Sequence, residues 1–310
     1  MDTIAPSVPL VSIGFAVRNG ALYLAQALDS ILAQTFTDFE VIISDNASTD
    51  ATEDICRNYA QKDSRIRYSR NPKNIGGANN ENFTVQMARG KYFRWAAHDD
   101  MLAPDLLERC VQALEQHPDI VLCYSSVVEI DQLGREIKVS THTRGTSPKP
   151  HQRMRELMYR NHACEMIYGL IRLDVLRATR LQQNYTDSDR TLLCELALCG
   201  PFYELPEPLF YKRYHPANVY VDFRERMAWF IPDIGGALAF PNWLQFVDMY
   251  HTVARVELTT TEKALCYVET ARWSVRQSGR MIKEVGINAY YAMHSSGWRI
   301  KKNAQVHNWD

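Results

Sequence analysis

The chain has 310 residues, of which 46% are hydrophobic and 23% charged, as in folded globular proteins rather than disordered or collagen-like ones. The 35 basic and 36 acidic residues leave a net charge of −1, which gives no global attraction to nucleic acid. No apolar stretch reaches the ~20 residues that a membrane-spanning helix needs. The length suits one large α/β domain with an appendage, or about two domains.

The cysteine pattern indicates the cellular compartment. The seven cysteines are odd in number and contain no Cys-x-x-Cys pair, so we interpret them as buried thiols rather than as disulfides or zinc ligands. Residues 1–6 lack the basic stretch and apolar core of a secretory signal. We therefore expect a cytoplasmic protein.

The first hundred residues alternate between strand and helix patterns. Apolar runs at 8–17, 39–43, 66–69 and 92–96 predict strands. Helical patterns separate them at 24–32, 53–59 and 77–88, the second opened by a capping box at Asp50 and Glu53. This alternation predicts an α/β fold with a doubly wound, Rossmann-like and mainly parallel sheet.

The rest of the chain is less regular. We predict helices at 104–117 and 189–198, the latter ending before Gly200, and strands at 121–125, 127–130, 166–171, 202–205 and 209–212. Beyond residue 215 the pattern is helical. We expect a domain over 1–220, made of two halves at about 1–130 and 131–220, followed by a helical C-terminal extension over 221–310.

Polar residues follow three of the predicted strands: Arg18 and Asn19, Asp45 and Asn46, and residues 98–100. Ligands of doubly wound sheets bind outside the carboxyl ends of the strands, so the three clusters predict one pocket. Asp45 can accept a hydrogen bond from a nucleobase, although an Asx turn would also explain it. Residues 74–77 offer a helix N-terminus to a diphosphate.

The adjacent carboxylates Asp99 and Asp100 predict a cation site. A hard divalent ion that bridges to phosphate oxygens would offset their repulsion, and His98 as a nitrogen donor favours manganese over magnesium. The alternative is that Asp100 begins the next helix as a solvated turn.

Six segments, in this order and spacing, resemble family 2 glycosyltransferases with the GT-A fold over roughly residues 8–215: 11–19, 28–36, 40–50, 74–77, 88–90 and 98–100. The resemblance implies a nucleotide-sugar donor, UDP favoured, with Mn²⁺ or Mg²⁺. It also implies that residues of about 1–130 form the donor half of the domain and residues 131–220 the acceptor half. The implied metal ligands are Asp99, Asp100 and His215. The implied donor-binding residues are Val17, Arg18, Asn19, Asp45, Asn74, Gly76, Asn82, His98, Asp99, Lys212 and Arg213.

The resemblance also implies a catalytic base at the start of a later helix. Counting back from Gly200 places the family's Glu-Asp pair at Ser188 and Asp189, so Asp189 inherits the role, with Asp187 as the competitor. Two positions depart from the common pattern. Ala97 replaces the leading Asp of the metal motif, and Glu81 stands where many relatives carry Arg.

The implied reaction is inverting sugar transfer to a hydroxyl of a glycan, lipid-linked or small-molecule acceptor. Two alternatives stay open: a nucleotide-sugar-binding protein with impaired catalysis, suggested by Ala97 and Glu81, and a nucleotidyltransferase. We expect no nucleic-acid partner. The aromatic segment 229–246 leaves peripheral membrane contact and homo-oligomerisation open, although core packing against the sheet is the favoured explanation.

Overall fold

The computed structural model describes residues 8–141, 143–159, 164–215, 223–234 and 238–294. Within them, nine strands form one sheet. The strands are β1 Val11–Val17, β2 Phe39–Asp45, β3 Ile66–Arg70, β4 Tyr92–Ala96, β5 Met101–Leu102, β6 Leu122–Ile130, β7 Glu136–Ser140, β8 Leu170–Arg172 and β9 Phe202–Arg213. The helices are α1 Leu24–Leu32, α2 Thr52–Lys62, α3 Gly77–Met87, α4 Leu106–Gln116, α5 Pro150–Tyr159, α6 Leu173–Ala178, α7 Ser188–Cys199, α8 Phe223–Phe230, α9 Pro241–Arg255 and α10 Thr260–His294.

The first half of the sheet is parallel, as the sequence predicts. Its strand order is β3-β2-β1-β4, and each neighbouring pair runs in the same direction. Parallel neighbours need crossover connections, which α1, α2 and α3 provide. The carboxyl ends of these strands therefore meet at one edge of the sheet.

The second half is mixed. It continues as β8-β6-β9-β5, in which β6 and β9 are parallel while β8 and β5 run antiparallel to their neighbours, as does β7 to β6. Residues 202–213 form one strand rather than the two predicted, because the register shifts beside Pro206 and Pro208 absorb the prolines. Residues 122–130 likewise form one strand, and Glu165–Tyr168 is a 3₁₀ turn rather than part of β8.

The core lies on both faces of this sheet. Alternate residues of β2 point to opposite faces, so Val41 and Ile43 join one apolar cluster with α1 and α4, while Ile42 joins the other. The second cluster includes residues of α5, α7, α9 and α10. The helices after β9 thus pack against the same face as α7.

At the amino end of β2, a buried carboxylate joins several elements. Glu40 accepts hydrogen bonds from Ser12 Oγ, Arg67 Nη1, Arg89 N and Arg89 Nε at 2.8 to 3.0 Å. This cluster lies at the opposite end of β2 from Asp45 and is structural.

Within the described residues, no helix combines the length and apolar character needed to cross a bilayer.

Candidate active site

A cavity of about 1310 Å³ opens at the carboxyl ends of the parallel strands. Its wall contains residues that follow β1 and β4, the first turns of α3 and α7, the end of β9, and α8. The predicted site residues that line it are Val17, Arg18, Asn19, Asn74, His98, Asp99, Asp100, Asp189, Lys212, Arg213 and His215. The topology therefore brings together segments that lie up to about 200 positions apart.

The loops after β1 and β2 form one rim of the cavity. Arg18 Nη1 donates to the carbonyls of Asn46 and Ala47 at 2.6 and 2.8 Å, and Asn19 Oδ1 accepts the backbone N–H of Thr49 at 2.8 Å. Asn46 Nδ2 donates to Asn74 Oδ1 at 2.8 Å. These bonds fix the rim and leave polar edges facing the cavity.

Asp45 lies beneath this rim and does not line the cavity. Its side chain is fully buried, and it accepts hydrogen bonds from Tyr68 Oη at 2.9 Å and from the N–H of Ser48 at 2.8 Å. Arg70 Nε lies 3.3 Å from its carboxylate. The neighbouring Asn46 is the residue of this pair that reaches the cavity wall.

The N-terminus of α3 faces the cavity at Gly77, directly under α8. Gly76 has a φ of +88°, and a methyl group there would come within 2.1 Å of the carbonyl oxygen of Phe230. At Gly77 a methyl group would come within 2.2 Å of the Trp229 ring. Both positions need glycine for this close packing, and Gly76 itself does not line the cavity.

The next turn of α3 places a carboxyl group in the cavity wall. Burial, reinforced by the charge of Asp189, raises the pKa of Glu81 to about 8. Glu81 therefore holds its proton at neutral pH. Asn82, in contrast, points away from the cavity and exchanges two hydrogen bonds with the backbone of Gln182.

The acidic motif follows β4. Asp99 Oδ2 lies 3.1 Å from His215 Nε2, and Asp100 Oδ1 accepts the backbone N–H of Arg213 at 2.9 Å. Burial, and secondarily Asp99, raises the pKa of Asp100 to about 8. Burial also lowers the pKa of His98, whose ring packs against Gly20.

This donor set fits a divalent ion that binds together with a diphosphate. Asp99 and His215 supply one carboxylate and one imidazole, while in the described residues no three His, Cys, Asp or Glu side chains converge as a metal-binding group. Mg²⁺ and similar ions usually take one or two protein carboxylates and complete their shell with substrate phosphates and water. Asp99 and His215 are therefore compatible with such an ion, while Asp100 accepts the Arg213 N–H beside them.

The two basic residues at the end of β9 differ in what they bind. Lys212 Nζ is 2.9 Å from Glu165 Oε1 at the cavity wall. The Arg213 side chain is almost fully buried and donates to the carbonyls of Asp99, Asp131 and Gln132. Lys212 thus reaches the cavity wall as an ion pair with Glu165, whereas Arg213 supports the backbone of the acidic motif.

Asp189 lies in the first turn of α7, on the side of the cavity formed by Glu81 and Cys164. Burial, followed by the charge of Asp187, raises the pKa of Asp189 from its ordinary value, and the Cys164 thiol donates to it in partial compensation. Its Oδ1 also accepts the N–H of Arg190 at 2.8 Å. Asp187 is more exposed, and its carboxylate lies 3.2 Å from Arg226.

Sequence reasoning did not find all of the cavity wall. Tyr168 and Glu165 come from the 3₁₀ turn, and Trp95 from within β4, where nothing in the sequence marks them as functional. Arg190 directly follows Asp189 and could have been noticed. Trp229 belongs to the aromatic segment for which the sequence left several roles open, and here it covers Gly77.

Comparison with known proteins gives a family match. The model described as "Glycosyl transferase family 2" matches residues 12–179. An uncharacterized glycosyltransferase of Methanocaldococcus jannaschii is 38% identical over 132 residues, 42% of this chain and 46% of that protein. Chondroitin synthase of Escherichia coli is 29% identical over 217 residues, 68% of this chain and 30% of the synthase. The matched regions thus span less than half the length of these relatives.

Solved structures are similar over most of the chain. S. aureus TarS (residues 1–349), in complex with UDP-GlcNAc, has a TM-score of 0.56 at 16% identity, covering 86% of this chain and 92% of that one. The mannosyltransferase PcManGT of Pyrobaculum calidifontis, in complex with GDP-Man and Mn²⁺, has a TM-score of 0.52 at 14% identity, covering 94% and 81%. At these identities the likeness establishes the fold alone.

Proposed function

Because the chain belongs to glycosyltransferase family 2 and has the GT-A fold, we propose that its cavity binds a UDP-sugar and transfers the sugar, with inversion, to an acceptor hydroxyl. The observation that carries the proposal is the placement of Asp99, His215 and Asp189 in the wall of one cavity. Its volume of about 1310 Å³ exceeds that of most single-ligand pockets, so it can hold a donor and part of an acceptor together.

The donor is proposed to lie across the carboxyl ends of β1, β2 and β4. Arg18, Asn19 and Asn46 offer polar edges to the nucleoside, and the N–H groups at the start of α3 face the diphosphate. Lys212, paired with Glu165 in the cavity wall, adds an ammonium group. The UDP complex of TarS, a protein of similar fold, favours uridine as the first base to test.

Asp99 and His215 are proposed to hold Mn²⁺ or Mg²⁺ together with the donor. As a Lewis acid, the ion would take up the charge that develops on the diphosphate. The Lys212 ammonium group can stabilise the same charge without proton transfer. Arg213 keeps the acidic motif in place through its bonds to backbone carbonyls.

Asp189 is proposed as the general base. Its carboxylate removes the proton of the acceptor hydroxyl while that oxygen attacks the anomeric carbon from the face opposite the diphosphate. The bond from the anomeric carbon to the diphosphate breaks, its electron pair leaves with UDP, and the configuration inverts. Base catalysis of this kind contributes about 10²–10⁴-fold. A raised pKa brings Asp189 closer to the pKa that a base needs near neutral pH.

A ligand panel tests the donor proposal directly. Thermal unfolding is measured with UDP, UDP-GlcNAc, UDP-GalNAc, UDP-glucose, UDP-galactose and GDP-mannose, each with and without Mn²⁺, because ligand binding to the native state raises Tm. Enzymatic release of the nucleoside diphosphate is followed in parallel. We expect a Mn²⁺-dependent shift with UDP and UDP release from at least one sugar. No shift with any member, or release of pyrophosphate instead of UDP, would contradict the proposal.

A further inference from the structure

Three consecutive residues of α3 contact three different parts of the protein. Asn80 bonds to the end of β2, with its Nδ2 2.8 Å from the carbonyl oxygen of Ser44. Glu81 lines the cavity, where the charge of Asp189 contributes to its raised pKa. Asn82 faces the loop that precedes α7. Residues one position apart on a helix point in directions about 100° apart, so one helix turn reaches all three.

The contact made by Asn82 is a closed pair of hydrogen bonds. Its Nδ2 donates to the carbonyl oxygen of Gln182 at 2.8 Å, and its Oδ1 accepts the N–H of the same residue at 3.1 Å. The oxygen and the nitrogen of the Asn82 amide are therefore both bonded to the backbone of one residue, 100 positions away. It does not line the cavity, unlike Asn74 and Glu81 on the same side.

From Gln182 the connection continues to the start of α7. Ser188 Oγ donates to Gln182 Oε1 at 2.9 Å, and both side chains are buried, at 1% and 7% exposure. Ser188 is the residue immediately before Asp189. Three hydrogen bonds thus join α3 to the first turn of α7, where the proposed base lies.

The backbone around this connection has little other support from regular structure. Leu181 and Asp187 both adopt left-handed conformations, with φ of 58° and 65°. Non-glycine residues in this conformation are strained and persist only where surrounding contacts fix them. Asn82 on one side, and Gln245, which donates to the Asp187 carbonyl at 3.1 Å, on the other, provide those contacts.

We propose that Asn82 is a positioning residue for Asp189, acting through Gln182 and Ser188, and not a donor-binding residue. The inference rests on the proposed function, because it concerns the base of that reaction. It differs from what family resemblance implied for Asn82. Since a misplacement of about 1 Å at a reacting group can lower a rate about 10²-fold, loss of this connection should reduce turnover more than binding.

The test compares Asn82→Ala and Ser188→Ala with Gln86→Ala. Gln86 is an exposed residue of the same helix, one turn further from the loop before α7, so it serves as the matched control. The readouts are the Kd for UDP with Mn²⁺ and kcat for UDP release from the sugar of the panel above that is fastest with wild-type protein. For Asn82→Ala we expect kcat to fall at least ~10-fold, with Kd changed less than ~3-fold.

The double variant Asn82→Ala/Ser188→Ala separates a shared connection from two independent defects. If both residues act through Gln182, it loses no more activity than the worse single variant. Multiplicative losses would overturn the proposal, as would wild-type kcat in Asn82→Ala or a parallel loss of UDP affinity, which would return Asn82 to the donor site. Should Asn82→Ala fail to fold, Ser188→Ala leaves α3 intact and carries the same prediction.

Failure of the inference can be told apart from failure of the proposed function. Absence of UDP binding or of UDP release in wild-type protein contradicts the function itself, and the role of Asn82 falls with it. If the wild-type protein releases UDP and the Asn82→Ala and Ser188→Ala variants are both as active as wild type, only the inference is contradicted.

Discussion

Nε2 of His215 lies 3.1 Å from Oδ2 of Asp99, a contact between residues 116 positions apart. His215 follows β9, and Asp99 follows the central strand β4. A carboxylate and an imidazole at this distance can turn together toward one cation. The pair thus links the end of β9 to the acidic motif.

Removal of either partner should weaken metal binding. For Asp99→Asn we expect the affinity for Mn²⁺ in the presence of UDP to fall at least ~10-fold, because the anionic ligand is lost, and excess chelator should abolish wild-type UDP release. Even the loss of a residue that only hydrogen-bonds to a metal ligand typically lowers metal affinity 10- to 100-fold. Isothermal titration with Mn²⁺ measures the effect, with Asp54→Asn on the exposed side of α2 as the control. Undiminished turnover in excess chelator would show that the reaction does not require a metal ion.

Glu81 should make the stability of the protein fall with rising pH. Its pKa is 4.5 in the unfolded chain and about 8 in the folded protein, so below pH 4.5 both states are protonated and no penalty arises. Between these values the unfolded state loses its proton while the folded state keeps it, and stability decreases up to about pH 8.

We therefore expect Glu81→Gln, which cannot ionise, to raise Tm relative to wild type at pH 8.5 and to leave it unchanged at pH 4. Each kcal/mol gained corresponds to about 2–4 °C in a chain of this size. Glu136→Gln, an exposed change on β7, is the control. A difference between Glu81→Gln and wild type that does not depend on pH would contradict the raised pKa.

Glu40 should stabilise the fold without affecting the site. Burial acts to raise its pKa, but Arg89 and Arg67 outweigh it and lower the pKa. Its contribution is therefore present above the unfolded value of 4.5 and is lost as pH falls through the folded pKa. Because the Arg67 and Arg89 side chains are partly exposed and can be hydrated, the loss of the Glu40 carboxylate should cost roughly 1–3 kcal/mol, as for hydrogen bonds to charged groups.

Urea unfolding of Glu40→Ala at pH 7 should show this loss, with the difference from wild type shrinking toward pH 3. The Kd for UDP should be unchanged at temperatures where the variant is folded, because Glu40 lies at the end of β2 remote from the cavity. A stability equal to that of wild type at pH 7 would show that the ion pairs contribute nothing.

The α/β class could be predicted because apolar runs alternate with helical patterns, and the GT-A fold and the family because six segments resemble family 2 glycosyltransferases. The strand-end clusters, which predicted the cavity, survive in the sequence as short polar runs. Arg18, Asn19, His98 and Asp99 follow buried strands, and parallel strands bring their carboxyl ends to one edge. The sequence does not reveal whether such a residue turns toward the cavity or toward the protein. Asp45 finds Tyr68 and Arg70 on β3, so it is buried beneath the rim instead of lining the cavity.

Other features could not be predicted because they depend on contacts between residues far apart in the sequence. Asn82 is paired by residue 182, and nothing near it in the sequence predicts that contact. The prolines at 206 and 208 suggested two strands, but a proline lacks only the N–H, and an irregular register accommodates that loss within β9. The wall residue Tyr168 comes from a 3₁₀ turn within a segment that the apolar pattern predicted as strand.

The most direct test of the account is the turnover of Asp189→Asn beside Asp187→Asn, with UDP affinity measured on both. The amide keeps the shape of Asp189 but cannot accept a proton, so UDP release should fall by about 10²-fold or more while the Kd for UDP stays within about 3-fold of wild type. Asp187→Asn should retain most of the activity. Wild-type turnover in Asp189→Asn would contradict the assignment of the base, and the reverse pattern would transfer that role to Asp187.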